Sequence, residues 1–287
     1  MAKLSDSQGI TNLRVSVTQR CNLNCIYCHR EGENGSGREM NIGEIGRIVD
    51  CAAEIGIRGV KITGGEPLMR EDIADLIECI SNTDGIDEVS MTTNGTLLEN
   101  LAKPLKHAGL DRVNIGCDSL SRTLDKNRDN ILPGLLAAKK AGLTPIKLNM
   151  VVLSGVNDHE IGDMIGFARE HRAILQLIEL IPLNKPVYDR YKFALEGIEN
   201  ELSKNAKGIT TRKMQSRKQY ILDDVVVEVV RPSREFCMNC NKIRLTSDGK
   251  LKPCLMRDDN LVDTNNGKSL NTLFLEAINK KEPYYEN

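Results

Sequence analysis

Residues 13–30 read LRVSVTQRCNLNCIYCHR, and this stretch decides the fold because it joins a β-strand directly to three closely spaced cysteines. The alternating run LRVSVT predicts a strand over 13–18. Cys21, Cys25 and Cys28 follow it with the spacing C-x3-C-x2-C. Three thiolates on one short loop can surround one corner of a soft metal centre.

The number of ligands in this loop separates the metals that it could bind. Structural zinc usually takes four ligands, commonly as paired C-x2–4-C units. The loop has no fourth cysteine nearby, and His29 is badly placed to close the same site because it is adjacent to Cys28. The three cysteines therefore favour a [4Fe–4S] cluster with one open iron, and structural zinc and a chance grouping are the alternatives.

The chain up to about residue 182 alternates short β-branched runs with longer amphipathic runs. A repeated strand–helix order implies a parallel sheet with right-handed crossovers. Six predicted strands match either a doubly wound sheet or an incomplete (β/α) barrel, and both place active sites at the carboxyl ends of their strands. Asn41 and Asn157 are predicted helix N-caps, and Gly109 and Gly142 are predicted to follow helix ends. The predicted strands are 13–18, 59–63, 88–93, 112–117, 146–152 and 175–180.

The pattern changes near residue 182, which divides the chain into a barrel-like core, 1–182, and an extension, 183–287. The extension has two short predicted strands, 220–224 and 225–231, and a predicted hairpin over 243–255 that turns at Asp248-Gly249. Its Cys237, Cys240 and Cys254 have the spacing C-x2-C-x13-C, without another Cys or His in the segment. Three ligands again favour an open iron, here free to hold a substrate atom, and an incomplete zinc ribbon is the alternative.

Composition narrows the class of protein. The chain has 287 residues and a net charge of −1, so no overall field attracts nucleic acid or an anionic membrane. No apolar run reaches the ~18–20 residues that span a bilayer, and the first residues lack an apolar leader. Nine cysteines, an odd number, argue against a disulfide framework. We therefore expect a cytoplasmic protein that binds neither nucleic acid nor membrane. Cys51, Cys79 and Cys117 match no motif and are predicted to be small buried side chains.

A glycine-rich segment, ITGGEP (62–67), ends the second predicted strand. Gly64 and Gly65 would let the backbone approach a ligand closely. Glu66 adds a carboxylate that could accept a hydrogen bond from an ammonium group. An ordinary glycine-rich turn is the alternative.

Together these motifs resemble the GTP 3′,8-cyclase family of the radical S-adenosylmethionine (SAM) superfamily. The resemblance rests on LRVSVTQRCNLNC, ITGGEPLMR, TTNGTLL and FCMNCNKIRLTSDGKLKPCL, and it runs from about residue 8 to about residue 285. It implies an incomplete (β/α)6 barrel with a β-containing C-terminal extension, two [4Fe–4S] clusters and SAM. It also implies that a 5′-deoxyadenosyl radical takes hydrogen from the ribose of GTP, in the first step of molybdenum cofactor biosynthesis.

The resemblance also implies roles for single residues. Cys21, Cys25 and Cys28 would hold the catalytic cluster, and Cys237, Cys240 and Cys254 the second one. The SAM contacts would be Tyr27, Gly64, Gly65, Glu66, Gly116 and Ile181, with Gly116 standing where the family generally has a serine, so that its contact comes from the backbone. The GTP contacts would be Arg14, Lys61, Thr92, Lys147, Lys242, Ile243 and Arg244. Asp118 is a weaker candidate for the site.

Two other functions stay open at this point. One is a radical SAM peptide maturase with an auxiliary cluster, although a peptide substrate does not require the basic residues predicted to contact GTP. The other is an iron–sulfur or zinc protein with a structural role. The partners that we expect are GTP, an external one-electron donor, a second copy of the chain in a homodimer, and the downstream cyclic pyranopterin monophosphate synthase.

Overall fold

The computed structural model describes residues 9–33 and 37–285, and within them one sheet of twelve strands forms the centre of the molecule. The strands are β1 (Asn12–Ser16), β2 (Gly59–Thr63), β3 (Glu88–Thr93), β4 (Arg112–Gly116), β5 (Lys147–Val152), β6 (Ile174–Glu179), β7 (Gly208–Thr211), β8 (Lys218–Leu222), β9 (Val225–Val230), β10 (Lys242–Leu245), β11 (Lys250–Lys252) and β12 (Val262–Asp263).

Helices alternate with the first six strands, as the sequence pattern predicts. The helices are α1 (Ile42–Glu54), α2 (Ile73–Ser81), α3 (Leu98–His107), α4 (Arg128–Ala141), α5 (Ile161–Glu170), α6 (Lys185–Tyr191), α7 (Glu196–Asn205), α8 (Arg234–Met238) and α9 (Leu270–Asn279). Over the ranges that the structure describes, no helix is both long and apolar enough to cross a bilayer.

The order of the strands decides between the two architectures that the sequence left open. Strands β1 to β6 lie side by side in chain order, and every neighbouring pair is parallel. A doubly wound sheet reverses its order at a switch point. The core is therefore an incomplete (β/α)6 barrel.

The extension adds a parallel strand to each edge of this core. Strand β9 pairs with β6, and β10 pairs with β1, both in parallel. The β10–β11 pair confirms the hairpin that the sequence predicts over 243–255, and the two predicted strands near 220–231 form a second antiparallel pair, β8–β9. Because β9 and β10 belong to the same sheet as the core, the extension continues the barrel wall from both of its edges.

Each parallel strand has an apolar side and a polar side, because successive side chains point to opposite faces of a sheet. Val15, Ile62 and Met91 are fully buried in the apolar core that the helices cover. Arg14 and Lys61, one position away on the same strands, line a cavity inside the barrel. The strands thus turn apolar residues outward to the helices and polar residues inward.

Of the two predicted N-cap residues, only Asn41 caps a helix with its side chain. Asn41 caps α1 as predicted, since its side chain accepts from the Glu44 backbone N–H and Glu44 accepts from the Asn41 N–H. Asn157 stands at the N-cap position of the 3-10 turn Asp158–Glu160 that leads into α5, but its side chain makes no capping hydrogen bond. The buried Asn157 amide instead donates to the Asp118 carbonyl at 2.7 Å and fixes the loop after β4.

A buried carboxylate attaches the extension to the core. Glu228 on β9 has no exposed surface and accepts from Lys147 at 2.6 Å, Gln176 at 2.6 Å and Arg217 at 2.7 Å. Burial opposes its charge, but Arg217 and Lys147 lower the pKa of Glu228 to about 2. The burial of Lys147 lowers the pKa of that lysine to about 8, although Glu228 opposes this shift.

We predict that Glu228→Gln destabilises the protein by about 3–5 kcal/mol, because it leaves buried cations without their counter-charge. Urea unfolding at neutral pH measures the change. Asp223→Asn is the matched control, since Asp223 pairs with Lys207 at 2.6 Å on an exposed surface and such pairs contribute about 0–1 kcal/mol.

The difference in stability between wild type and Glu228→Gln should also depend on pH. The folded-state pKa of Glu228 lies below its ordinary value of 4.5, so its contribution is fully present above about pH 4.5 and is lost toward pH 2. The difference in stability between wild type and Glu228→Gln should therefore shrink as the pH falls through this window. A difference that grew on acidification would contradict the assignment.

Candidate functional site

A cavity of about 390 Å³ occupies the inside of the barrel. Inward-facing residues of β1 to β6, the loop after β1 and the segments around α8 and β10 form its wall. In the described part of the chain this wall carries eleven lysine or arginine side chains and four carboxylates. The interior is therefore strongly cationic, in contrast to the packed apolar interior of a complete (β/α)8 barrel.

Both cysteine groups reach this one cavity. Cys21, Cys25 and Cys28 lie on the loop after β1, and all three line the wall. The second group, Cys237, Cys240 and Cys254, also lines it, from the end of α8, the start of β10 and the end of β11. None of the six forms a disulfide bond in the part of the chain that the structure describes. The structure thus brings together two groups that are more than 200 residues apart in sequence.

The donor set of each group fits a [4Fe–4S] cluster. Each group offers three sulfur ligands, and in such a cluster every cysteine binds a different iron. Within residues 9–33 and 37–285, no three His, Cys, Asp or Glu side chains lie close enough to hold one metal ion. Lys281 and Lys242 lower the pKa of Cys240 below its ordinary value in spite of burial, which favours the thiolate that a metal requires.

The GGEP segment supports the first cysteine loop directly. The Gly65 N–H donates to the Thr18 carbonyl at 2.7 Å, and the Glu66 N–H donates to the Arg20 carbonyl at 2.8 Å. A Cβ atom on Gly65 would lie 2.3 Å from the Arg20 carbonyl oxygen, and one on Gly64 would lie 2.4 Å from that of Thr18. Glycine is required at these two positions because the segment packs directly against the backbone that leads into the first cysteine loop.

The carboxylate of Glu66, which the sequence offers as an acceptor for an ammonium group, makes three hydrogen bonds within the protein. Glu66 is fully buried and already accepts from the Leu68 N–H at 3.1 Å, the Thr93 hydroxyl at 2.7 Å and the Asn94 N–H at 2.6 Å. Its carboxylate therefore fastens the GGEP segment to the end of β3.

Two half-buried lysines of the wall lack a carboxylate partner among the described residues. Lys61 donates to the Asn114 side chain at 3.3 Å, and Lys242 donates to the Gln215 side chain at 2.9 Å. Burial and neighbouring cations lower the pKa of both lysines well below the ordinary value. An anion bound beside these lysines would raise the pKa of both again, because an opposite charge favours the ammonium form.

The two predicted arginines share one carboxylate that the sequence analysis missed. Glu31 accepts from Arg14 Nη2 at 2.7 Å and from Arg244 Nη1 at 2.6 Å. Burial opposes the charge of Glu31, but these guanidinium groups hold its pKa well below the ordinary value. The backbone of Glu31 lies in the left-handed region, at φ 55°. No sequence signal marks this residue, because its partners come from both ends of the chain.

Most of the predicted site residues lie on the cavity wall. Those outside the two cysteine groups are Arg14, Tyr27, Lys61, Gly64, Gly65, Thr92, Gly116, Lys147, Ile181, Lys242 and Arg244. The structure does not bring the side chain of Ile243 to the cavity, because Ile243 alternates with its two neighbours on β10 and is fully buried in the apolar core. Lys147 faces the cavity but is held by Glu228.

Further residues of the wall carried no sequence signal, or only a weak one. Asp118 lies two residues after the end of β4, and it accepts from the Tyr27 hydroxyl and from the Val151 N–H at 2.9 Å. Lys126 donates to the Tyr27 oxygen at 2.9 Å. The side-chain oxygen of Asn149 is buried and has no hydrogen-bond partner among the described residues. An unpaired acceptor on the wall is typical of a site that binds a ligand with donor groups.

Comparisons with known proteins agree with this geometry. A model of the Radical SAM superfamily matches residues 15–168, and one described as Molybdenum Cofactor Synthesis C matches residues 173–287. A protein of Methanothermobacter marburgensis described as "Probable GTP 3′,8-cyclase" is 47% identical, over 97% of each chain. One of Archaeoglobus fulgidus with the same description is 42% identical, over 99% of each chain.

Solved structures show the same fold. Streptococcus suis SuiB, in a crystal structure with S-adenosylmethionine, superposes with a TM-score of 0.70 at 16% identity, over 92% of this chain and 65% of SuiB. The protein anSMEcpe with bound AdoMet superposes with a TM-score of 0.61 at 15% identity, over 95% of this chain and 81% of that protein.

We predict that Gly65→Ala displaces the first cysteine loop, destabilises the protein by about 1–3 kcal/mol and lowers the iron bound per chain after reconstitution. The reason is the 2.3 Å approach of the new Cβ to the Arg20 carbonyl. Iron analysis and thermal unfolding measure both effects. The control is Gly162→Ala on α5, where nothing lies within 4 Å of a new Cβ. Equal iron content in the two variants would contradict the role given to Gly65.

Proposed function

This chain belongs to the radical SAM superfamily and, within it, to the family of the archaeal relatives described above, and we propose that it is a GTP 3′,8-cyclase. It converts GTP to (8S)-3′,8-cyclo-7,8-dihydroguanosine 5′-triphosphate, the first step of molybdenum cofactor biosynthesis. The observation that carries the proposal is that both cysteine groups line one cavity together with Lys61 and Lys242, which have no carboxylate partner among the described residues.

The first cysteine group would hold the catalytic [4Fe–4S] cluster and SAM. When bound, the cluster supplies the electron that cleaves SAM, and the resulting 5′-deoxyadenosyl radical takes hydrogen from the ribose of GTP. Tyr27 and Gly65 would contact SAM, and Gly116 and Ile181 would do so through their backbone. Gly64 and Glu66 support this site by fixing the cysteine loop, as their contacts indicate.

The cationic side of the cavity would bind GTP. The pairings Arg14–Arg244 and Arg14–Lys61 between adjacent strands place three basic side chains next to one another. Arginine can grip phosphate with two parallel hydrogen bonds, and lysine acts as a mobile point charge. Thr92, Lys147 and Lys242 would add contacts, Ile243 would do so only through its backbone, and a second cluster on Cys237, Cys240 and Cys254 would hold the guanine base.

The charge of the cavity also separates this function from a peptide maturase. A peptide needs no cavity wall with eleven lysine and arginine side chains, whereas a triphosphate is a polyanion that such a wall attracts. Two lysines without carboxylate partners favour the polyanion. An iron–sulfur or zinc protein with a purely structural role does not require a cavity of about 390 Å³.

The same proposal includes the partners of the reaction. An external one-electron donor would reduce the first cluster, and the product would pass to cyclic pyranopterin monophosphate synthase. We place these steps in the cytoplasm and propose that the chain works as a homodimer.

We predict that Cys25→Ala abolishes the cleavage of SAM, because the first cluster loses one of its three ligands. Cys240→Ala should stop the conversion of GTP while uncoupled cleavage of SAM continues. Anaerobic assays with dithionite that measure 5′-deoxyadenosine and the cyclic product separate the two variants. If Cys240→Ala also abolished SAM cleavage and lost all iron, the two groups would not be independent clusters.

We predict that Lys61→Met weakens GTP binding by about 10- to 100-fold, since a charge-assisted contact contributes about 1.5–3 kcal/mol. Equilibrium binding of GTP to the reconstituted protein measures the change, and guanosine should bind both forms alike. Lys140→Met is the control because Lys140 is exposed on α4. GTP binding that was unchanged in Lys61→Met would mean that the triphosphate lies elsewhere.

A further inference from the structure

We propose that Lys126 is a SAM-binding residue whose ammonium group binds the carboxylate of the methionyl part of SAM. The inference deepens the proposed function and rests on it. Lys126 lies in the connection between β4 and α4, in a segment that carries no recognised motif. Its position next to the first cysteine loop is a product of the fold alone.

Lys126 lies directly against the first cysteine loop. Its Nζ atom donates to the Tyr27 oxygen at 2.9 Å and lies 5.1 Å from the centre of the Tyr27 ring. The Tyr27 hydroxyl in turn donates to Asp118, whose other oxygen accepts from the Val151 N–H at 2.9 Å. Lys126 is thus held in one orientation by groups from the cysteine loop, the end of β4 and β5.

The stem of Lys126 fills the place that a side chain on residue 116 would take. A Cβ atom on Gly116 would lie 2.8 Å from the Cδ atom of Lys126. The backbone of Gly116 does not need glycine for its conformation, since its φ lies outside the left-handed region. A side chain on residue 116 would therefore compete with the Lys126 stem for this space, and the side chain that reaches this part of the SAM site is that of Lys126.

The ammonium group still has donors to give to a ligand. It carries three N–H groups, and over the described residues it donates only to Tyr27, because Asp118 is 3.9 Å away. Its side chain is 22% exposed and lines the cavity together with Cys25, Tyr27 and Gly65. A fixed cation with free donors beside the first cysteine group suits the one anionic group of SAM, its carboxylate.

The test compares two ligands on two proteins. Lys126→Met keeps an unbranched apolar stem beside Gly116 and removes the charge. We expect this variant, fully reconstituted and under anaerobic conditions, to bind SAM about 10- to 100-fold more weakly than wild type. Decarboxylated SAM lacks the group that Lys126 would bind, so its affinity should be the same for both proteins. Lys126→Arg should restore most of the SAM affinity.

Two comparisons make the result specific. Lys140→Met should bind SAM like wild type, which controls for the loss of a lysine. If Lys126→Met fails to take up iron, the same measurement is made on Lys126→Gln, which can still donate to Tyr27 but has no charge. Equal SAM affinity of wild type and the neutral variant, or an equal loss for SAM and decarboxylated SAM, would overturn the assignment of Lys126.

The experiment also distinguishes this inference from the proposed function. Wild-type protein that bound iron and SAM, with a neutral variant that bound SAM equally well, would remove Lys126 from the site and leave the proposed function in place. Wild-type protein that took up no iron and bound no SAM would contradict the proposed function itself.

Discussion

The parallel pairing of β10 with β1 is the constraint on which the rest of the site depends. It places Arg244 beside Arg14 and brings Cys240 and Lys242 from the end of the chain to the mouth of the barrel that the first strands build. Backbone hydrogen bonds between strands fix this register, so a shift by one residue would turn Lys242 and Arg244 out of the cavity and Ile243 into it.

Buried carboxylates make such a cationic interior compatible with folding. Unpaired charges away from water are costly, and the barrel places many cations around one cavity. Glu228 offsets the charge on the side of β5 and β6, and Glu31 offsets it on the side of β1 and β10. Over the described ranges Lys61 and Lys242 have no carboxylate partner, so the negative charge of a substrate would stabilise the cavity most at these two positions.

Much of this architecture can be predicted from the sequence, because local patterns fix local structure. The strand–helix alternation gives the six-stranded core, and the cysteine spacings give the two metal-binding groups. The contacts that the sequence could not predict join distant segments: β10 on β1, Glu31 between two arginines, and Lys126 against Tyr27. Glu66 and Asn157 were predicted from motif and cap patterns, but interior hydrogen bonds decide the orientation of their side chains.

The central claim is that one cavity holds SAM and GTP so that a radical made from the first reaches the ribose of the second. GTP that carries deuterium at ribose carbon 3′ tests it most directly, in an anaerobic reaction with SAM and dithionite. The account predicts that one deuterium atom appears in 5′-deoxyadenosine for each cyclic product formed. 5′-Deoxyadenosine that contained no deuterium while product accumulated would contradict it.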